Sequence, residues 1–240
     1  KPTVVFIHGS GMDHTVWTLA SRHFARHGNN VVSVDLPGHG RSAGSPLVTV
    51  EDMASWVIAV LDALDIFSAA LVGHSLGSLI ALECAASHSE RVRAIALVGT
   101  TSPMPVSDAI LNAAEADDHA AFDMLTQWGF SKRHQFGGNP NSGIWMIGNT
   151  LRLYERSGPG VLFHDMRACN EYNTGTDQAA KVTCPALLIL GAEDRLTPVR
   201  STRALQEAIS SPVVEVLPGA GHTIMVEAPN AMLDALHKVL

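Results

Sequence analysis

The sequence predicts an α/β fold with an open, mostly parallel, doubly wound sheet and a helical insertion. Short apolar runs recur along the chain, and each is followed by a turn containing glycine and then by a helical pattern. The runs are continuously apolar rather than alternating, which is typical of strands buried on both faces of a parallel sheet. Such strands are joined through helices by right-handed crossovers. The predicted strands span residues 3–7, 31–34, 69–72, 94–98, 186–190 and 213–216.

Helical periodicity fills the intervals between these strands, as in residues 50–64 and 199–209. Thr49 and Asp52 form an N-terminal capping pattern at the start of the first of these helices. Each element therefore carries its own local signal, in addition to its place in the alternation.

The alternation stops within residues 101–183, where the sequence shows helical patterns and no good strand. These patterns cover residues 107–128, 144–156 and 160–172. We therefore predict a core made of residues 1–100 and 184–240, with residues 101–183 inserted between two of its strands.

Composition restricts the kind of protein and its partners. A chain of 240 residues with 46% hydrophobic and 16% charged residues is typical of globular proteins. Its formal net charge of −7 argues against a nucleic-acid partner, whose phosphates require a basic face. No apolar stretch reaches the ~18 residues of a membrane span, so we predict none. The sequence leaves the oligomeric state open.

Three cysteines, Cys84, Cys169 and Cys184, lie far apart and form no C-x-x-C pair. We interpret them as buried free thiols, which suits a reducing compartment and predicts a cytoplasmic protein. The chain opens at Lys1 and passes at once into a predicted strand. Because a chain seldom begins inside its own sheet, we expect further residues upstream.

A G-x-S-x-G pattern at residues 73–77 is the strongest functional signal in the chain. It follows a predicted strand and precedes a helix rich in alanine and leucine, so Ser75 falls on a sharp strand-to-helix turn. The two glycines leave room for that turn to pack. A serine held in this way is a candidate nucleophile, and it requires a base and an acid from elsewhere in the chain.

His222 and Asp194 are the candidate base and acid, because each follows a predicted strand. The carboxyl ends of parallel strands form the edge where active sites of open sheets lie. Two alternatives for the acid stay open. Glu193 is adjacent to Asp194, and Asp35 also follows a strand, in what we interpret as a structural loop with the carboxylate capping the backbone or pairing with Arg41.

An oxyanion requires backbone donors close to the nucleophile. We assign one donor to the amide of Leu76, which opens the helix after Ser75. The loop after the first strand supplies the other, for which we choose Ser10 and keep Gly11 as the alternative. His8 in the same loop is interpreted as organising the loop rather than as a base.

The remaining histidines receive structural interpretations. His74 is predicted to be packed in the core beside the nucleophile, and Asp165 to be a solvated residue of the insertion. The 12 histidines show no metal-ligand spacing, so we predict neither a metal site nor a cofactor.

Five motifs occur in the order found in one fold family. They are His8-Gly9, residues 35–42 (Asp-Leu-Pro-Gly-His-Gly-Arg-Ser), residues 73–77, residues 191–198 and Gly221-His222. The chain therefore resembles the α/β-hydrolase fold superfamily, and within it the capped esterases and enol-lactonases. The resemblance implies that the insertion is a helical cap above Ser75 and that two strands normally precede the first one here. A serine nucleophile distinguishes the chain from the dehalogenases and epoxide hydrolases of that fold, which carry an aspartate.

We predict a serine hydrolase that cleaves carboxylic esters of small to medium, mainly apolar substrates through an acyl-enzyme on Ser75. Cleavage of an enol-lactone or a carbon–carbon bond by the same triad is the alternative, and a small-molecule receptor is a third possibility. Arg152 and Arg167 are candidates for binding a substrate carboxylate, although surface solvation is favoured for both. The predicted pocket residues are Met12, Trp128, Trp145, Met146, Phe163 and Ile224.

Overall fold

Six parallel strands form one open sheet in the order β2-β1-β3-β4-β5-β6. The computed structural model describes residues 1–138 and 143–240. Each strand overlaps a predicted one, and the fold class is confirmed. The strands are β1 (Thr3–Ile7), β2 (Asn30–Val34), β3 (Ala69–His74), β4 (Val92–Val98), β5 (Ala186–Gly191) and β6 (Val213–Leu217).

Helices cover both faces of the sheet, which explains why its strands are continuously apolar. Successive residues of β1 point to opposite faces. Val5 and Ile7 pack in one apolar cluster with helices α2 and α3, whereas Val4 and Phe6 pack in a second cluster with α1 and α12. The helices of the core are α1 (Thr18–Arg26), α2 (Val50–Ala63), α3 (Leu76–Ser87), α10 (Arg203–Ala208), α11 (Ile224–Glu227) and α12 (Pro229–Leu236).

Helices α4–α9 lie between β4 and β5 in the chain, where the alternation of the sequence stops. We use the name cap for residues 101–183, because the sequence resemblance predicts a helical cap there. The cap helices are α4 (Asp108–Glu115), α5 (Ala120–Gly129), α6 (Lys132–Gln135), α7 (Met146–Glu155), α8 (Val161–Glu171) and α9 (Gly175–Ala179).

The helical pattern predicted over residues 107–128 is formed by two helices, α4 and α5, with a break between them. Asp117 has a positive φ of 51°, a left-handed conformation that ends a right-handed helix. The Asp118 carboxylate then accepts the amide of Ala120 and starts the second helix. Aspartate tolerates both conformations, and apolar periodicity alone does not register this break.

The capping pattern predicted for α2 is present. The amide of Asp52 donates to Thr49 Oγ1 at 3.1 Å, and that hydroxyl donates to Asp52 Oδ2 at 2.7 Å. None of the helices in the two described ranges has the length and apolar character needed to cross a membrane. Cys84 and Cys169 are buried free thiols, whereas Cys184 is half-buried.

Candidate active site

Ser75 lies on the sharp turn between β3 and α3 with φ 52° and ψ −118°, a backbone conformation that is rare for a residue with a side chain. The turn is held because the amide of Ser75 donates to Val98 O at 2.9 Å. Close packing explains the flanking glycines. A Cβ on Gly73 would overlap the carbonyl group of Gly77, and a Cβ on Gly77 would overlap that of Ile7.

His222 and Asp194 are brought together by the loops that follow β6 and β5. His222 Nδ1 donates to Asp194 Oδ2 at 2.8 Å, and both side chains are buried. Ser75 and His222 line the same cavity. The structure thus gathers the three residues selected from the sequence at the carboxyl edge of the sheet.

The Asp194 carboxylate is fixed in its ionised form by hydrogen bonds on both oxygens. Oδ1 accepts the amides of Leu196 and Thr197 at 2.8 Å each, and Oδ2 accepts the Thr197 hydroxyl at 2.7 Å. Burial alone would raise its pKa, but the charge and hydrogen bond of His222 together with the Thr197 bonds lower the pKa to about 2. Thr197 is not among the residues predicted from the sequence. The available signal is Asp194 itself, since an aspartate side chain often accepts a backbone amide two residues further on.

Hydrogen bonds hold the backbone of His222 as well as its ring. Its amide donates to Gly129 O at 2.8 Å, at the end of α5, and its carbonyl accepts His74 Nε2 at 3.0 Å. His74 is buried, as predicted, and burial together with the nearby His222 lowers its pKa to about 3. His74 is therefore a neutral donor that fixes the carbonyl of the candidate base.

The amides of Ser10 and Leu76 are available to an oxyanion. Within residues 1–138 and 143–240, neither amide donates to a protein acceptor. Ser10 and Ser75 line the same cavity, and Leu76 opens α3 directly after Ser75. The alternative donor, Gly11, is already engaged, because its amide donates to Asp165 Oδ2 at 2.8 Å. Geometry therefore favours Ser10 over Gly11.

Neither alternative to Asp194 contacts the base in the described part of the chain. Glu193 is exposed. Asp35 accepts the amides of His14 at 2.7 Å and Arg41 at 2.9 Å, as expected of a residue that organises a loop.

His8 also has the predicted role of organising a loop. Its Nδ1 donates to Gly9 O at 2.8 Å and its Nε2 accepts the amide of Leu36 at 3.1 Å. Burial and the neighbouring His39 lower its pKa to about 4, so the ring is neutral.

A cavity of about 170 Å³ opens beside Ser75, and its wall is mainly apolar. Trp128 lines it, as predicted from the sequence. Arg195, next to the candidate acid Asp194, contributes the one permanently charged side chain among the described lining residues of the cavity. The other residues of the wall are Ser10, Met104, Pro105, Val106, Ser107, Ile110, Leu125, Met166, Cys169, Leu196, Thr197 and His222.

Five of the predicted pocket residues lie outside this cavity. Met12 and Phe163 pack in an apolar cluster formed mainly by cap residues. Ile224 is fully buried on the face of the sheet that α1 and α12 cover. Met146 borders a separate cavity near α7, and Trp145 is 67% exposed. An apolar side chain in the cap indicates that the residue is buried. It does not indicate whether the residue faces the cavity or another helix, because that depends on how the helices pack.

The interpretation of Asp165 as solvated is wrong. Its side chain is fully buried, and Oδ2 accepts both the amide of Gly11 and His39 Nε2 at 2.8 Å. The cap arginines, in contrast, are surface residues, since Arg152 pairs with Glu155 and Arg167 with Glu171.

Among the described residues, one group of side chains has the spacing of metal ligands: Asp13, His14 and Asp35. Their oxygens are already occupied. Both Asp35 oxygens lie 2.9 Å from His14 Nδ1, and Asp13 Oδ2 accepts Arg156 at 2.6 Å. Protein donors therefore satisfy this group, and it carries no metal assignment.

Comparison with known proteins places the fold in a family. Residues 4–235 match the Alpha/beta hydrolase family. The chain is 29% identical to the pimeloyl-(acyl-carrier protein) methyl ester esterase of Chromobacterium violaceum, over 98% of this chain and 92% of that protein. It is 23% identical to the (E)-2-((N-methylformamido)methylene)succinate hydrolase of Acinetobacter baylyi, over 97% of this chain and 88% of that one. A solved structure of a thermophilic esterase matches with a TM-score of 0.82 at 26% identity, over 99% of this chain and 89% of that chain.

The fold and the family match define the class of protein, which is a hydrolase with an esterase-like fold. The chain belongs to the alpha/beta hydrolase family.

Proposed function

We propose that this protein is a serine hydrolase of carboxylic esters that works through an acyl-enzyme on Ser75. The observation that carries the proposal is the cavity that Ser75 and His222 share, with Asp194 hydrogen-bonded to the far side of the imidazole. This arrangement gives an otherwise weak serine nucleophile a base, and the base an orienting carboxylate.

In the proposed reaction, His222 Nε2 takes the proton of Ser75 as the hydroxyl attacks the ester carbonyl. The amides of Ser10 and Leu76 hold the oxyanion of the tetrahedral intermediate. His222 returns the proton to the departing alcohol and then activates the water that hydrolyses the acyl-enzyme. Asp194 stays ionised throughout, because His222 and Thr197 keep its pKa near 2.

We propose substrates with a short acyl chain. The cavity of about 170 Å³ is smaller than the ~300–1,000 Å³ typical of pockets for drug-sized ligands. Its wall of methionine, valine, isoleucine and leucine side chains favours an apolar acyl group. The proposed cap domain, residues 101–183, supplies most of that wall.

Replacement of the nucleophile tests the mechanism. In Ser75→Ala, kcat for p-nitrophenyl acetate should fall by about four orders of magnitude or more, because neither base nor acid acts without the nucleophile. The matched control is Ser55→Ala, an exposed serine on α2 that should leave kcat unchanged. A fluorophosphonate probe should label the native protein and the control but not Ser75→Ala. Ester turnover retained in Ser75→Ala would refute the mechanism.

A substrate panel tests the reaction class. We expect p-nitrophenyl and methyl esters of two to six acyl carbons to have the highest kcat/KM, with a decline for longer chains. A lactone or a vinylogous diketone hydrolysed faster than every ester would replace the proposal with the lactonase or carbon–carbon hydrolase alternative. Ligand-induced movement of the cap with no turnover of any substrate would favour a receptor.

The unpaired cysteines suit a reducing compartment, and we propose the cytoplasm as the site of action.

A further inference from the structure

Two buried histidine–carboxylate pairs join the cap to the core. In the first, His39 of the loop after β2 pairs with Asp165 of cap helix α8 at 2.8 Å. In the second, His134 of cap helix α6 pairs with Glu227 of core helix α11 at 2.7 Å. The carboxylate comes from the cap in one pair and from the core in the other. We call them the seam pairs.

The carboxylate of the first seam pair also holds the loop after β1. We call this loop, which carries the proposed donor Ser10, the oxyanion loop. Asp165 Oδ2 accepts the amide of Gly11, the residue directly after Ser10. One helical turn further along α8, Cys169 Sγ lies 3.8 Å from the hydroxyl of Ser10 itself. The same helix face of the cap thus contacts two successive residues of the loop that carries the proposed oxyanion donor.

His39 is suited to balance the charge of Asp165. Its Nδ1 lies 3.1 Å from Pro37 O and its Nε2 lies 2.8 Å from Asp165 Oδ2, so both ring nitrogens face acceptors. A histidine that donates from both nitrogens is the imidazolium. Burial opposes that charge, but the Asp165 carboxylate outweighs it and raises the pKa of His39.

The carboxylate of the second seam pair holds the loop of the base. Glu227 Oε1 accepts the amide of Gly221, the residue directly before His222, at 3.0 Å. Its Oε2 accepts two donors of the cap, the amide of Ser131 at 3.0 Å and His134 Nδ1 at 2.7 Å. One buried side chain therefore joins the base loop to the cap through its two oxygens.

We infer that Asp165 and Glu227 are positioning residues. Through them, the packing of the cap on the core fixes the positions of the oxyanion loop and of His222. The inference rests on the proposed roles of Ser10, Ser75 and His222. It follows that the cap is part of the catalytic apparatus as well as the wall of the cavity. Asp165 reaches from the cap to the amide of Gly11, and Glu227 binds both the base loop and the cap.

Glu227→Gln tests the base side with nearly the same shape. A glutamine offers one oxygen and one NH₂ group, so it cannot accept from Gly221 and from Ser131 together. We expect kcat to fall about 10- to 100-fold with KM within about threefold, since a small displacement of a catalytic group costs rate rather than binding. The downfield proton resonance of His222 Nδ1–H should shift or broaden.

Asp165→Ala tests the oxyanion side. We expect kcat to fall about tenfold, with a parallel loss of affinity for an alkyl boronic acid that mimics the tetrahedral intermediate. Affinity for the product carboxylic acid and the His222 proton resonance should stay unchanged. Asp165→Asn keeps an oxygen that can accept both Gly11 and His39, so it should retain most of kcat even where the alanine variant folds poorly.

A third group of side chains in the cap supplies matched controls. His119 pairs with Asp123 at 3.2 Å and with Glu155 at 2.8 Å, but none of the three is buried, and neither carboxylate accepts an amide beside Ser10 or His222. Asp123→Ala and Glu155→Gln remove the same chemical groups as the test variants. Both should keep kcat and the His222 resonance of the native protein.

The outcomes separate the inference from the proposed function. Cooperatively folded Glu227→Gln and Asp165→Ala proteins with native kcat and an unmoved His222 resonance would overturn the inference, even with ester turnover intact. Failure of the native protein to hydrolyse any ester would overturn the proposed function instead. In that case the His222 resonance still reports whether Glu227 positions the base, because its measurement requires no substrate.

Discussion

His222 is held at its ring, its amide and its carbonyl, by Asp194, Gly129 and His74 respectively. Only the first of these contacts belongs to the proposed triad. The other two fix where the loop crosses the sheet edge, and one of them comes from the cap. A general base must stay within hydrogen-bond reach of the proton it removes, so we expect each of these contacts to affect the rate if His222 acts as proposed.

Arg195 gives the cavity a charge preference that can be measured. Among the described residues, five other arginines pair with carboxylates, whereas Arg195 lines the cavity without such a pair. In Arg195→Gln, we expect kcat/KM for monomethyl succinate to fall about two- to threefold relative to methyl pentanoate at low salt. The effect should vanish at high ionic strength, since the side chain is exposed.

Arg200→Gln is the control for this experiment, because Arg200 is exposed five residues further along the chain, on a short 3-10 helix, and does not line the cavity. In that variant, the ratio of kcat/KM for monomethyl succinate to kcat/KM for methyl pentanoate should equal that of the native protein. An identical change in both variants would show that the effect comes from the net charge of the protein rather than from the position of Arg195 in the cavity.

At the residue scale, the sequence predicts catalytic candidates better than their supports. Ser75, Asp194 and His222 each follow a strand, and that position can be read from the apolar pattern. Asp165 and Glu227 lie on helices, where a carboxylate has no signal that separates a buried acceptor from a solvated one. Their partners come from segments far away in the chain, so only the folded structure brings them together.

Among the elements, helix α2 offers a test of local stability. Its N-cap Thr49 accepts the amide of Asp52, and substitution of such a cap costs about 1 kcal/mol. We therefore expect Thr49→Ala to lower the free energy of unfolding by about 1 kcal/mol in urea titrations, with kcat unchanged. Ser55→Ala, exposed on the same helix, should change it by less than about 0.5 kcal/mol. Equal losses in both would argue against a capping role.

The strands could be predicted because both faces of a parallel sheet are buried, which leaves a continuous apolar run in the sequence. Their ends shift by two residues at most, as in β4 and β3. The cap was harder, since each of its helices has one buried face and tertiary packing selects it. Trp145 illustrates this, because a large aromatic at the start of α7 points into solvent.

For the whole molecule, buried neutral histidines predict a loss of stability in mild acid. Burial and the charge of His39 lower the pKa of His8 to about 4, and burial and His222 lower the pKa of His74 to about 3. In the unfolded chain both titrate near 6.5. Between these values the unfolded state binds more protons, so stability is full above about pH 6.5 and declines as the pH falls.

Each of these two histidines contributes a loss of about 1 kcal/mol by pH 5.5. His39 acts in the opposite sense, because its raised pKa adds stability below pH 6.5 and offsets part of the loss. We expect the free energy of unfolding to fall by about 1 to 2 kcal/mol between pH 7 and pH 5.5 in urea titrations. His74→Asn should flatten this slope, and a slope unaffected by that variant would contradict the assignment.

The close packing at Gly73 and Gly77 has a consequence for how the sequence can evolve. Any side chain at Gly73 or Gly77 would collide with a main-chain carbonyl group, whatever reaction the protein performs. Purifying selection at these two codons would therefore continue in a descendant that kept the fold and abandoned the chemistry, whereas the codon for Ser75 would drift. In a mutational library scored for folding alone, we expect Gly73 and Gly77 to be intolerant and position 75 to accept other small residues.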